Sequence, residues 1–212
     1  MKEKAKLFKI FLCGCIIIII AAIAGTYYLL RAINSRDKNV VDHLKELKSY
    51  SCDMKFIVKN DKQNLEYNCR QYYLYGKGYR LEINKERNLI YKENAVYVFD
   101  KENNKAYAKA DKQDDIYKFS FIGEYIGMLY TNQNINYSIR KINGVEYALI
   151  KIEIPNQNRN TKYAVMYVNG KNNVPYKVII CDEDNKEKME IEYSNFIPND
   201  NLDDKLFEVP KL

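Results

Sequence analysis

The chain has 212 residues, 47% of them hydrophobic and 29% charged, a balance that excludes both a disordered tail and a polytopic membrane protein. Its formal net charge is +6, but the first thirty residues hold Lys2, Lys4, Lys6 and Lys9 against Glu3 alone, so half of that charge belongs to a terminal segment and no nucleic-acid partner is expected. There is one histidine, no tryptophan and an unusual 20 tyrosines.

Residues 1–9 form a basic tail. Ile10 to Leu30 then carry no charge, a run of about 31 Å as a helix, long enough to cross a bilayer core. Lysines precede this run more densely than Arg31, Arg36 and Lys38 follow it. The bias predicts a single-pass signal-anchor at the cell membrane, with a cytoplasmic N-terminus, a juxtamembrane linker over 31–38 and an extracytoplasmic domain over 39–212. Two other fates stay open for the segment. Ala22-Ile23-Ala24 fits the small-x-small rule for cleavage after Ala24, and Leu12-Cys13-Gly14-Cys15 offers Cys15 as a lipidation site.

From Asn39 to Tyr50, Val40, Val41, Leu44 and Leu47 recur at helical spacing and predict a short amphipathic helix. The period then changes. Cys52 to Lys59, Leu65 to Tyr75, Tyr79 to Asn84, Leu89 to Lys92, Ala95 to Asp100 and Lys105 to Ala110 are short runs rich in Tyr, Val, Ile or Phe, separated by polar turns, and predict consecutive antiparallel strands. Asp114 to Tyr130 is apolar on nearly every side and predicts a buried helix with Asp114 and Asp115 at its N-terminus. Strands resume at Ile135 to Ile142, Val145 to Ile154, Lys162 to Val168, Val174 to Cys181 and Lys188 to Phe196. A turn and a short extended tail, Asn201 to Pro210, close the chain. The expected class is α+β: a curved, open antiparallel sheet of roughly ten strands wrapped on two helices, in one ectodomain.

Chemistry is sparse. A single histidine, His43, excludes multi-histidine zinc sites, and its pairing with Cys52 or Cys69 is the one nucleophilic constellation available. No nucleophile elbow, Walker loop or dinucleotide fingerprint is present, so neither an enzyme nor a cofactor or metal is expected. Asp182-Glu183-Asp184-Asn185 lacks the glycine and spaced glutamate of a calcium loop and reads as a hairpin turn. Glu124 stands out inside the apolar helix. A two-residue turn at Asn60-Asp61 puts Cys52 opposite Cys69, a candidate disulfide; pairing of either with Cys181 stays open. Tyr67, Tyr72, Tyr73, Tyr75 and Tyr79 form either a contact surface or β-sheet packing.

The order of elements resembles a known superfamily. Tyr79-Arg80-Leu81-Glu82, Val96-Tyr97-Val98-Phe99-Asp100, the apolar helix, Asp182 to Lys188, Ile191-Glu192-Tyr193-Ser194-Asn195-Phe196 and Leu206-Phe207-Glu208-Val209-Pro210 follow one another as in the LolA/RseB-like superfamily of outer-membrane lipoprotein carriers and sigma-factor regulators. Phe121 to Ile126 and Leu129 to Asn132 resemble its GerS-related germination lipoproteins. The resemblance covers roughly residues 40 to 210. It implies a half-barrel plugged by helices, no catalysis, and a protein partner in the cell envelope, a peptidoglycan amidase of the spore cortex, during sporulation or germination. It equally implies the alternative of a carrier or sensor of lipid or lipoprotein acyl chains on the concave face. It carries over no binding residue.

Overall fold

The computed structural model describes residues 18–27, 40–60, 62–92, 95–110, 115–132, 135–155 and 159–209. The chain divides into two units, Met1–Asn39 and Val40–Leu212. In the first, residues 18–27 are helical, with the side chains of Ile18, Ile19, Ile20 and Ile23 exposed. Among the described residues no helix is long and apolar enough to cross a membrane. Most of the expected 10–30 span, Cys15 and the 31–38 linker lie outside the described residues.

The second unit opens on a short helix, α1 (residues 40–45), followed by eleven strands. Six come before the apolar helix: β1 (Ser49–Lys59), β2 (Asn64–Leu74), β3 (Gly78–Ile83), β4 (Arg87–Lys92), β5 (Ala95–Asp100) and β6 (Lys105–Ala110). Five follow it: β7 (Asn136–Ile142), β8 (Val145–Glu153), β9 (Tyr163–Asn169), β10 (Pro175–Cys181) and β11 (Glu187–Pro198). All lie in one sheet, in the order β6-β5-β4-β3-β2-β1-β11-β10-β9-β8-β7, and every pair is antiparallel. Two meanders are thus joined side by side at β1 and β11, and the sheet does not close. Asparagine makes many of the turns: Asn84, Asn104, Asn143, Asn173 and Asn185 hold positive φ, a conformation that asparagine tolerates better than most side chains.

The strand boundaries expected from periodicity are met within a few residues, and the helices differ. The first helix is shorter than expected, because Tyr50 and Ser51 already pair with Tyr73 and Tyr72 of β2 and with Pro198 and Ile197 of β11. The second is broken into a 3-10 helix, Ile116–Ser120, and α2 (Ile122–Thr131), with the extended backbone of Phe121 between them. The break has a packing cause. Phe121 stacks on Tyr79 at 4.2 Å between ring centres and meets Tyr91 edge-on at 4.8 Å. A continuous helix would carry that ring away from the sheet. α2 is also two-faced and not apolar all round: Ile122, Tyr125, Ile126 and Leu129 are buried, while Gly123, Glu124, Gly127 and Tyr130 face solvent.

The Cys52–Cys69 register is corrected as well. Asn60 accepts the backbone N–H groups of Lys62 and Gln63 on its side-chain oxygen, at 2.9 and 2.8 Å, and closes a four-residue loop. Lys59 therefore pairs with Asn64, Cys52 with Gln71, and Cys69 with Met54. The cysteines are diagonal and not opposed, and Cys52, Cys69 and Cys181 are all free thiols. At the C-terminus the expected extended tail includes a 3-10 turn, Asp204–Phe207. Arg80 donates to the Leu206 carbonyl at 2.9 Å, and Phe207 is buried.

Two glycines of α2 test this packing. A Cβ built on Gly123 falls 2.1 Å from the Tyr79 hydroxyl, whereas one on Gly127 meets nothing within 4 Å. Gly123→Ala is expected to destabilise by about 1–3 kcal/mol through forced separation of the Tyr79–Phe121 stack. Gly127→Ala is expected to be neutral or stabilising by up to about 1 kcal/mol through helix propensity. Urea unfolding of the two variants measures the contrast.

Candidate functional site

The concave face of the sheet is set by strand alternation. Cys52, Met54 and Phe56 of β1, Leu81 and Ile83 of β3, Val96 and Val98 of β5, Ile150 and Ile152 of β8, Met166 and Val168 of β9, and Ile191 and Tyr193 of β11 all point inward into one core. The segment containing the 3-10 helix and α2 lies on this face, and hydroxyl and amide groups pin it there. Tyr91 donates to the Asp115 carboxylate at 2.9 Å, and Asp115 in turn caps the 3-10 helix by accepting the Tyr117 N–H. Tyr193 donates to the Ser120 carbonyl at 2.8 Å. Fully buried Gln71 donates to Ser120 Oγ at 2.9 Å and accepts from Tyr50 at 2.7 Å. The Tyr50 oxygen accepts the Ile122 N–H at 3.4 Å, one of the donors left over at a helix start. Tyr125 donates to the Ile150 carbonyl at 2.5 Å and accepts the Met166 N–H at 3.1 Å. Asn132 donates to the Glu153 carbonyl.

Three of the five clustered tyrosines, Tyr67, Tyr73 and Tyr79, pack against this core. Phe196, Tyr50, Tyr73, Tyr79, Phe121 and Tyr91 form a chain of ring contacts, each 4.2–5.4 Å between centres, from β11 across β1, β2 and β3 to the plug and β4. Tyr67 meets Tyr117 of the plug. Tyr72 lies under Arg70 and Tyr75 under Lys48, and only Tyr75 of the five is strongly exposed.

Among the described residues, one cavity borders the plug and a larger groove lies on the outer face of the sheet. One, of about 80 Å³, lies where Leu44 and Leu47 meet Tyr50, Tyr73, Ile122 and Ile126. Lys45 stands at its edge with its ammonium 4.4 Å from the exposed Tyr130 ring. The other is a polar groove of about 730 Å³ lined by Asp53, Lys55, Glu66, Arg70, Glu82 and Lys85, among others. Its charges are largely paired already, as in Lys55–Glu66 at 2.8 Å.

The residues singled out in the sequence do not converge. His43 is half-buried on α1 and Glu124 is exposed on α2. Burial pushes the Cys52 thiol up, and the Cys69 thiol up to about 12, so both are protonated at neutral pH, the reverse of an activated nucleophile. The Asp182 carboxylate is spent within its own hairpin, accepting the N–H groups of Asp184 and Lys186 at 3.0 and 2.8 Å. Among the described residues no group of three His, Cys, Asp or Glu side chains is placed to hold a metal. Sequence reasoning missed Gln71, Ser120 and the Tyr50 and Tyr125 hydroxyls, whose partners lie up to 73 residues away.

The sequence profile of the YdcC-like sporulation proteins matches residues 7–207. The chain belongs to that family. No curated protein sequence matches it. Its fold is similar to that of an uncharacterized conserved protein from Thermus thermophilus, at TM-score 0.55 and 11% identity, over 82% of this chain and 94% of that one. It is also similar to the Clostridioides difficile CwlD amidase–GerS lipoprotein complex, at TM-score 0.47 and 18% identity, over 74% of this chain and 91% of the matched chain. A LolA superfamily protein from Nitrosomonas europaea matches at TM-score 0.39 and 11% identity, over 81% and 96%. The strand order and core of this YdcC-like chain form the unclosed, helix-filled antiparallel sheet that the resemblance implied.

Two measurements follow from the buried hydroxyls and thiols. Under native conditions at pH 8, iodoacetamide is expected to label half-buried Cys181 before Cys52 and Cys69, and unfolding without reductant is expected to release all three; mass spectrometry reads both, and a Cys52–Cys69 disulfide would leave two unlabelled. Burial also holds Tyr117 up at about 12 and raises Tyr50, Tyr79, Tyr125 and Tyr193 further. Unfolded, cysteine titrates near about 8.5 and tyrosine near about 10, so above those values the unfolded chain sheds protons that the folded one keeps. The urea midpoint is expected to stay level from pH 7 to about 8.5 and to fall increasingly steeply above about 10.

Proposed function

We propose that this YdcC-like chain is a membrane-anchored, extracytoplasmic, non-enzymatic binding protein that partners a cell-wall amidase of the spore cortex. The observation that carries the binding role is the filled concave face. The surface where a half-barrel carrier would hold an acyl chain is occupied by residues 115–132 of the chain itself, tied down by Tyr50, Gln71, Tyr91, Tyr125 and Tyr193. The cavity that touches the plug, about 80 Å³ beside α1, is far below the roughly 300–1,000 Å³ of ordinary ligand pockets, and the 730 Å³ groove lies on the outer face among paired charges, unsuited to an acyl chain. Binding thus falls to the outer surfaces and edges of the sheet, which suits a macromolecular partner. Membership of a sporulation family supplies the setting, and the GerS-like residues Phe121 to Ile126 and Leu129 to Asn132 supply the partner class.

The anchor belongs to the same reading. The uncharged run Ile10 to Leu30 is long enough to span a bilayer core, and its described part, 18–27, is helical with Ile18, Ile19, Ile20 and Ile23 exposed. The N-terminus is then cytoplasmic and the sheet faces the spore envelope.

The test is a pull-down of the tagged full-length protein from sporulating cells, with intact-mass analysis of the eluate. A stoichiometric peptidoglycan amidase, bound through an interface above about 1,000 Å², and an unprocessed N-terminus are expected. A co-eluting mass of lipid size without an amidase would replace this reading with the acyl carrier. Loss of residues 1–24, or a lipid-sized addition at Cys15, would replace the signal-anchor.

A further inference from the structure

The two free edges of the sheet are built differently. At β6, Val96 and Val98 of β5 face the core, so their partners Lys109 and Tyr107 point to the concave side; Lys105, two residues before Tyr107, does the same. Inward-pointing lysines on a short strand are a recognised defence against pairing with another chain. Lys109 is held there by Asp115 at 3.4 Å.

β7 lacks this defence along most of its length. Its partners Ile150 and Ala148 are core residues, so Tyr137 and Ile139 point to the concave side, where they remain 37% and 40% exposed. The turn into β8 fixes the direction of the backbone. Asn143 and Gly144 both have positive φ, the two-residue turn that makes the flanking pair, Ile142 and Val145, a hydrogen-bonded one. Counting back by twos, Arg140, Ser138 and Asn136 spend their backbone groups on β8. Lys141, Ile139 and Tyr137 turn theirs outward, to the edge. Ile139 therefore offers apolar surface inward beside Tyr137, while Ile139 and Lys141 present free backbone donors and acceptors sideways.

We propose that β7 is a strand-addition site that receives an extended segment of the partner protein, with an aliphatic side chain against Ile139 and a carboxylate beside Arg140. Charge selects this occupant over a second copy of the chain. Arg140 stands opposite Tyr147 and has no carboxylate partner among the described residues, and Lys141 faces Glu146. Two β7 strands paired about Ile139 would gather four cations against two glutamates. An acidic, aliphatic segment neutralises the edge while its backbone completes the ladder.

The proposal rests on the partner reading above, and its test separates the two. Full-length wild-type protein is compared with Ile139→Pro, which removes an outward N–H and no bond to β8, and with Ile139→Lys, which copies the defence of β6 without touching the backbone. Binding of the cortex amidase is expected to weaken tenfold or more in both, with unfolding midpoints close to wild type. An amidase complex unaffected by either variant overturns the edge and leaves the partner reading standing. If wild type binds no amidase, that reading fails, and the edge is judged by hydrogen exchange with a blocked peptide of alternating valine and glutamate. Slowed exchange at the Tyr137, Ile139 and Lys141 amides, and not along β6, upholds it; equal exchange with and without peptide overturns it. A homodimer that Ile139→Pro dissociates also overturns it, in favour of a second copy.

Discussion

Everything in this structure follows from the need to cover one face of a sheet eleven strands wide. The two meanders meet at β1 and β11, so β6 and β7 end up at opposite edges. The chain leaving β6 must traverse the whole concave face to start β7. The crossover that connectivity demands is also the cover that burial demands. Its cost is a set of helix ends and carbonyls brought into an apolar interior, where an unpaired polar group is expensive. Tyrosine meets that cost, since each ring supplies apolar area and each hydroxyl reaches one stray backbone or side-chain group.

The composition makes sense in those terms. The chain has 20 tyrosines and no tryptophan. A phenol donates and accepts through one atom, so Tyr50 bonds both Gln71 and the start of α2, and Tyr125 both a carbonyl and an N–H. An indole, which only donates, cannot do this. The asparagines have a parallel role at the turns, where short meander connections require left-handed backbone.

The strands were legible in the sequence because each is a local alternation bounded by turn residues, and the eleven runs correspond to β1 through β11. The unclosed sheet and a sporulation setting were implied by the resemblance to the LolA/RseB-like superfamily and, through Phe121 to Ile126 and Leu129 to Asn132, to GerS-related proteins, and the family match agrees with that setting. What was not legible is non-local. The break at Phe121 depends on Tyr79 and Tyr91, far away in the chain, and the helical pattern around it shows no interruption. The register of Cys52 and Cys69 turned on a single side chain, Asn60, whose two hydrogen bonds made a four-residue loop of what reads as a two-residue turn. Gln71 looks like any strand polar residue until Tyr50 and Ser120 are seen on either side of it. The tyrosine cluster gave a correct location with an undecided role, since residue type alone does not distinguish a ring in a stack from one on a surface.

The adjacency of β1 and β11 carries a consequence for the order in which the molecule is made. The first strand of the sheet to be synthesised has the last as its central neighbour, and Tyr50 pairs with Pro198 across nearly the whole domain. A growing chain can form the β1–β6 meander early, yet it cannot finish the centre of the sheet until almost every residue has been made. Such distant pairings fold slowly and leave strand edges exposed in the meantime. The half-formed sheet therefore persists through most of the chain's synthesis, with the future centre of the sheet standing as an open strand edge until β11 arrives.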